Sequence, residues 1–117
     1  MKSLFILFVA LMASAVMYRV WAQGGGGGEL ARGRELYGHR CKICHGADGK
    51  GNGPAGEYLS PRPANFTAAD FWKGDVDKKI ENTIINGHGP MPAFNMKPGE
   101  IKEITDYLSH TFKPAGR

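Results

Sequence analysis

Cysteine is scarce in this chain: there are 2 in 117 residues, Cys41 and Cys44. A bridge between them would close so small a loop that it would hardly constrain the rest, so a disulfide-stapled scaffold is excluded. No basic run with interleaved aromatics occurs, and 15 basic side chains face 11 acidic ones, which gives nucleic-acid binding no footing. A second paired spacing of Cys or His, as a zinc site of protein ligands would need, is missing. The one long apolar stretch, Leu4 to Ala22, is 19 residues and contains Arg19. That is short and costly for a span, which takes about 20 apolar residues.

The stretch has instead the pattern of an export leader. Met1 and Lys2 precede LFILFVALMASAVM, and in the following YRVWAQ the small Val20 and Ala22 suit cleavage before Gln23. Residues 1–22 are read as a cleaved signal peptide, with an uncleaved membrane anchor as the rival. Without Lys2 and Arg19 the balance falls to 13 basic against 11 acidic side chains. Residues 23–28, with the run Gly24 to Gly28, read as a flexible linker, since glycine offers no side chain to pack. The domain is then 29–117, a chain of 89 residues. So small a domain buries little apolar surface and is expected to hold a cofactor or another internal staple.

Cys41, Cys44 and His45 stand in CKICHG, the C-x-x-C-H attachment sequence for a c-type haem. Two thiols three positions apart on a helical turn can each bond one vinyl group at the porphyrin edge, and the next residue then lies under the iron. A thioredoxin-type thiol pair would want a βαβ setting, which the Gly-rich sequence after His45 does not offer. Glu29 to Arg40 carries Leu30, Gly33, Leu36 and Tyr37 at helical spacing, acidic at its start and basic toward its end. KPGEIKEITDYLSHTF places Pro98 in a first turn and Ile101, Ile104, Tyr107, Leu108 and Phe112 on one face, a second helix. A third is expected from Val76 to Asn86, ended by Gly87, with Val76, Ile80, Thr83 and Ile84 on a face. The intervening segment, rich in glycine with Pro54, Pro61 and Pro63, is loop.

For the far side of an iron, NGHGPMPAFNM offers His88, Met91 and Met96. Met91 lies between Pro90 and Pro92, which leave its backbone little freedom and lower the cost of holding it in place. His88, between two glycines, fits a solvated loop, and Met96 fits packing at a helix entrance.

Across Glu29 to Phe112 the chain resembles a monohaem class I c-type cytochrome of the bacterial periplasmic kind. The resemblance rests on Gly33, Tyr37 and Cys41 at successive spacings of four, on the C-x-x-C-H, on Ile104 and Tyr107 in the last helix, and on Met91, Pro92, Ala93, Phe94 after a Gly-ended helix. It implies an all-α fold of three to four helices around one covalent haem c, the N- and C-terminal helices crossing at Gly33. It also implies thioethers at Cys41 and Cys44, His45 and Met91 as iron ligands, and a Pro54 carbonyl accepting from the His45 ring. Leu59 and Phe66 would touch the porphyrin, with Arg62, Trp72 and Lys73 as candidates for its propionates.

Ligation by both His and Met leaves no open position, so electron transfer is expected rather than oxygen chemistry. The expectation is a soluble, monomeric periplasmic one-electron carrier, not an enzyme. It would dock redox-partner proteins transiently around Ile43, Ala55 and Ala93 with Lys42, Lys50 and Lys97. A small peroxidase would need an open site and usually a second haem, and only one C-x-x-C-H occurs. A third reading is a sensor or assembly subunit tethered by the leader.

Overall fold

A computed structural model describes residues 1–23 and 26–116. The described residues form α1 (Lys2–Gln23), α2 (Gly26–Arg40), the one-turn α3 (Lys42–His45), α4 (Val76–Asn86) and α5 (Pro98–Phe112). Two 3-10 turns, Gly56–Tyr58 and Ala69–Trp72, interrupt the long loop. No strand occurs among the described residues, so the fold is all-α, as in the class I cytochromes.

The apolar side chains described in α1 are exposed, Leu4 through Val9 among them, and none of them belongs to the core. Its segment Lys2–Arg19 is long and apolar enough to cross a membrane.

α2 begins earlier than its amphipathic pattern. Gly26 to Gly28 form its first turn, and Gln23 is the last residue of α1; of the expected 23–28 linker, Gly24 and Gly25 lie outside the described residues. Glycine costs about 1 kcal/mol per helical residue relative to alanine. At a helix start that cost is tolerable, because the first N–H groups need no partner within the helix and the following turns are held by α5.

The α2–α5 crossing organises the domain. A Cβ on Gly33 would lie 2.1 Å from the Glu103 carbonyl oxygen and 2.7 Å from Tyr107 Cβ, so only glycine lets the backbones approach this closely. Beside the crossing, Leu36 and Tyr37 of α2 pack against Ile101, Ile104, Leu108 and Phe112 of α5. The Tyr37 ring lies 5.5 Å from both Tyr107 and Phe112. α5 starts where Pro98 needs no N–H partner and Glu100 accepts from the Lys97 N–H at 3.0 Å.

α4 has the bounds its pattern predicts. Asp75 caps it by accepting from the Lys78 N–H, and Gly87, at φ 75°, ends it with an N–H to the Thr83 carbonyl. Val76, Ile80 and Ile84 are buried, and Thr83 is half-buried on the same face.

Gly33→Ala forces the crossing helices apart and should destabilise the folded protein by about 1–3 kcal/mol, the usual scale of overpacking. Gly38→Ala, exposed on the same helix with open space around it, should be neutral or stabilising by up to about 1 kcal/mol. Thermal denaturation of the two holoproteins side by side checks this, and equal melting points would refute the close-approach role.

Candidate haem site

The C-x-x-C-H turn is fixed before any cofactor chemistry is considered. The Cys41 N–H continues α2 by donating to the Tyr37 carbonyl at 2.9 Å. One turn follows, in which Cys44 and His45 donate to the Cys41 carbonyl at 3.1 and 2.9 Å. The loop then folds back over the turn: Gly51 donates to the His45 carbonyl at 2.8 Å, Gly53 to Cys44 at 3.0 Å and Ala55 to Ile43 at 3.0 Å. The buried Tyr37 hydroxyl adds a bond of 2.6 Å to the Gly46 carbonyl. Gly56 sits so near that a Cβ would come within 2.1 Å of the Cys44 oxygen.

This turn forms one wall of a cavity of about 390 Å³, a size within the usual range of about 300–1,000 Å³ for ligand sites. Cys41, Cys44 and His45 face the apolar side of α4, through Ile80, Thr83 and Ile84. Met91 and Phe94 come from the loop before α5, and Ile104 and Leu108 from α5 itself. The lining is overwhelmingly apolar. Two thiols and an imidazole on one wall, with a thioether also in the lining, fit a planar apolar group bonded through its edge and carrying a metal.

His45 is 8% exposed and its ring stacks on Phe66, centroids 4.5 Å apart. Its Nδ1 lies 3.2 Å from the Ala64 carbonyl oxygen. A carbonyl only accepts, so Nδ1 carries the proton and the lone pair is on Nε2. Burial pushes the His45 pKa down, and the Ala64 carbonyl opposes this only in part. The imidazole is therefore neutral, as a metal ligand must be.

Burial likewise pushes the Cys41 thiol up to about 11, against a smaller pull from Arg40. A reactive redox pair has a depressed thiol pKa, so the thioredoxin-type alternative does not suit this site. Among the described residues no group of three His, Cys, Asp or Glu side chains is arranged to hold a metal ion, which leaves the zinc alternative without a ligand set.

Of the residues expected around a porphyrin, Leu59 and buried Phe66 line the cavity, and so does Arg62. Pro54 does not. It lines a separate surface concavity with Lys42 and Asp48, and the His45 ring meets the Ala64 carbonyl instead. The reason lies in the loop: the segment holding Pro54 is tied to the outer side of the turn by the Gly53 and Ala55 bonds, whereas 61–66 passes beside the ring. Trp72 and Lys73 are also away from the cavity. The indole N–H donates to the Phe66 carbonyl at 2.7 Å, and Lys73 pairs with Asp70. The basic groups that do reach the cavity, besides Arg62, are Arg40 and Lys79. The Lys79 position was not foreseen, although the α4 face that presents it was. Both His88 and Met91 line the cavity, and Met96 packs on the core outside it.

The family model described as cytochrome c oxidase, cbb3-type, subunit III matches residues 28–108. Cytochrome c6 of Euglena viridis is 37% identical over 79 residues, 65% of this chain and 85% of the relative. The cbb3-type cytochrome c oxidase subunit FixP of Azorhizobium caulinodans is 36% identical over 83 residues, 68% of this chain and 26% of the relative. Subunit CcoP of Rubrivivax gelatinosus is 31% identical over 83 residues, again 68% of this chain, and 25% of the relative. The chain thus spans about a quarter of either oxidase subunit but most of the cytochrome c6.

Haem should stay with the denatured wild-type chain, and with Cys41→Ala or Cys44→Ala through the remaining thioether. The double variant should release it to acidified organic solvent and, with the cavity filler gone, lose its cooperative melt. Mass spectrometry of the denatured chains and a circular-dichroism melt read both outcomes. Haem released from the wild type would overturn the attachment.

Proposed function

Because the chain belongs to the monohaem c-type cytochromes, in the family described as cytochrome c oxidase, cbb3-type, subunit III, we propose that it is a periplasmic one-electron carrier with His45 and Met91 as its iron ligands. Electron transfer is the shared work of these proteins, and haem c, when bound, supplies a one-electron iron couple. Cys41 and Cys44 bond the porphyrin edge. The proposal is carried by one observation, that a single apolar cavity is lined by both cysteines, His45 and Met91.

Each residue has a role the chain itself can perform. His45, held at Nδ1 by Ala64, offers Nε2 in a fixed orientation. Met91, clamped between Pro90 and Pro92, offers sulfur at low ordering cost. Ile80, Ile84, Ile104 and Leu108 keep water out, which favours the less charged ferrous state as thioether ligation does. Ile43 projects from the attachment turn with 60% of its surface exposed. Together with Ala55, bonded to its carbonyl, it forms an apolar patch suited to brief docking of a redox partner. The carrier works as a monomer after removal of residues 1–22.

A second reading has its own observation. The exposed apolar α1, with relatives named as oxidase subunits, suits a subunit anchored beside a larger membrane complex. Fractionation of cells separates the two readings: haem protein starting near Gln23 in the periplasmic extract supports the carrier, and full-length protein in the membrane pellet supports the anchored subunit.

Met91→Ala should abolish the weak far-red sulfur-to-iron band of the ferric protein and lower the midpoint potential. An absorption spectrum with a redox titration measures both. An unchanged spectrum would move the ligand to Met96 or His88.

A further inference from the structure

Met91 has a neighbour at the cavity wall that the carrier function does not use. After Gly87 closes α4, residues 88–91 make a two-residue hairpin. The His88 N–H donates to the Met91 carbonyl at 3.0 Å, and the Met91 N–H returns the bond at 2.9 Å. Gly89 has φ 54°, and the Pro90 ring holds its own φ near about −65°. Glycine first, with positive φ, is the requirement of a type II′ turn, the kind that joins twisted strands without splaying them.

Residues that exchange both bonds face each other across a ladder, with side chains on one face and Cβ atoms about 5 Å apart. The His88 imidazole and the Met91 thioether therefore project to the same side, and both line the haem cavity. The His88 side chain is otherwise uncommitted: it is exposed and makes no hydrogen bond or ion pair to a described residue. Lys79 also lines the cavity, but its ammonium donates to the Phe71 carbonyl at 2.8 Å and lies 4.0 Å over the Phe71 ring.

We infer that His88 is a reserve axial donor. When the Met91 thioether is off the iron, the His88 imidazole takes the same coordination position and gives a second closed, low-spin state of lower potential. The inference rests on Met91 as the resident ligand. Its consequence is that loss of the thioether lowers the potential without opening the iron to peroxide.

Ferric absorption and electron paramagnetic resonance spectra of five holoproteins at one fixed pH test it, followed by titration with imidazole. H88A should keep the sulfur-to-iron band of the wild type. M91A should lose that band yet remain low-spin, and M91A/K79A should match it. M91A/H88A should become high-spin and bind added imidazole about tenfold more tightly than M91A, because no tethered competitor remains. Should that variant fail to assemble, M91A/H88Q gives the same comparison with a bulkier side chain. A high-spin M91A, or a low-spin M91A that H88A leaves unchanged, overturns the reserve role while leaving Met91 as ligand. Loss of the wild-type signature in H88A together with its survival in M91A overturns both.

Discussion

Everything in this domain is arranged around a volume that its own side chains do not fill. The cavity of about 390 Å³ takes its walls from α3, α4, α5 and the loops between them, so the residues that would otherwise form a continuous core meet across it. An apolar surface of that extent left facing water would cost a small domain much of its marginal stability. Covalent haem c supplies the missing apolar mass. The cofactor is thus part of the core in the energetic sense.

The two sides of the cavity are built by different means. On the histidine side, a single helical turn is extended from α2 and tied by backbone bonds to Gly51, Gly53 and Ala55. The neutral, buried imidazole is oriented by one carbonyl. On the methionine side Met91 comes from a loop, held by the turn over residues 88–91, by the prolines on either side of it and by one further bond, from the Phe94 N–H to the Ile84 carbonyl. Restricted dihedrals add to the packing of Met91 and Phe94 on the core there.

Much of this was legible in the sequence because its signals are local. Apolar spacing with Gly87 at the end defined α4, Pro98 marked the start of α5, and C-x-x-C-H named its own chemistry. What escaped depends on where loops pass in space. Pro54 and Ala64 are both loop residues within reach of His45 along the chain, and only the bonds that tie the loop behind the turn decide which carbonyl faces the ring. Trp72 and Lys73 had suitable donors, but the indole N–H was already taken by the Phe66 carbonyl and the ammonium by Asp70.

The contrast between the two sides also says where the site yields first. Local opening takes place where few backbone bonds and little buried surface must be given up. The histidine turn cannot move without breaking its ties to the loop and to α2 together. The turn exposes His88, Gly89 and Pro90 and is held by fewer backbone bonds. If Met91 is the resident ligand as proposed, exchange would begin there, and the side chain paired with it across the turn, His88, lines the same cavity.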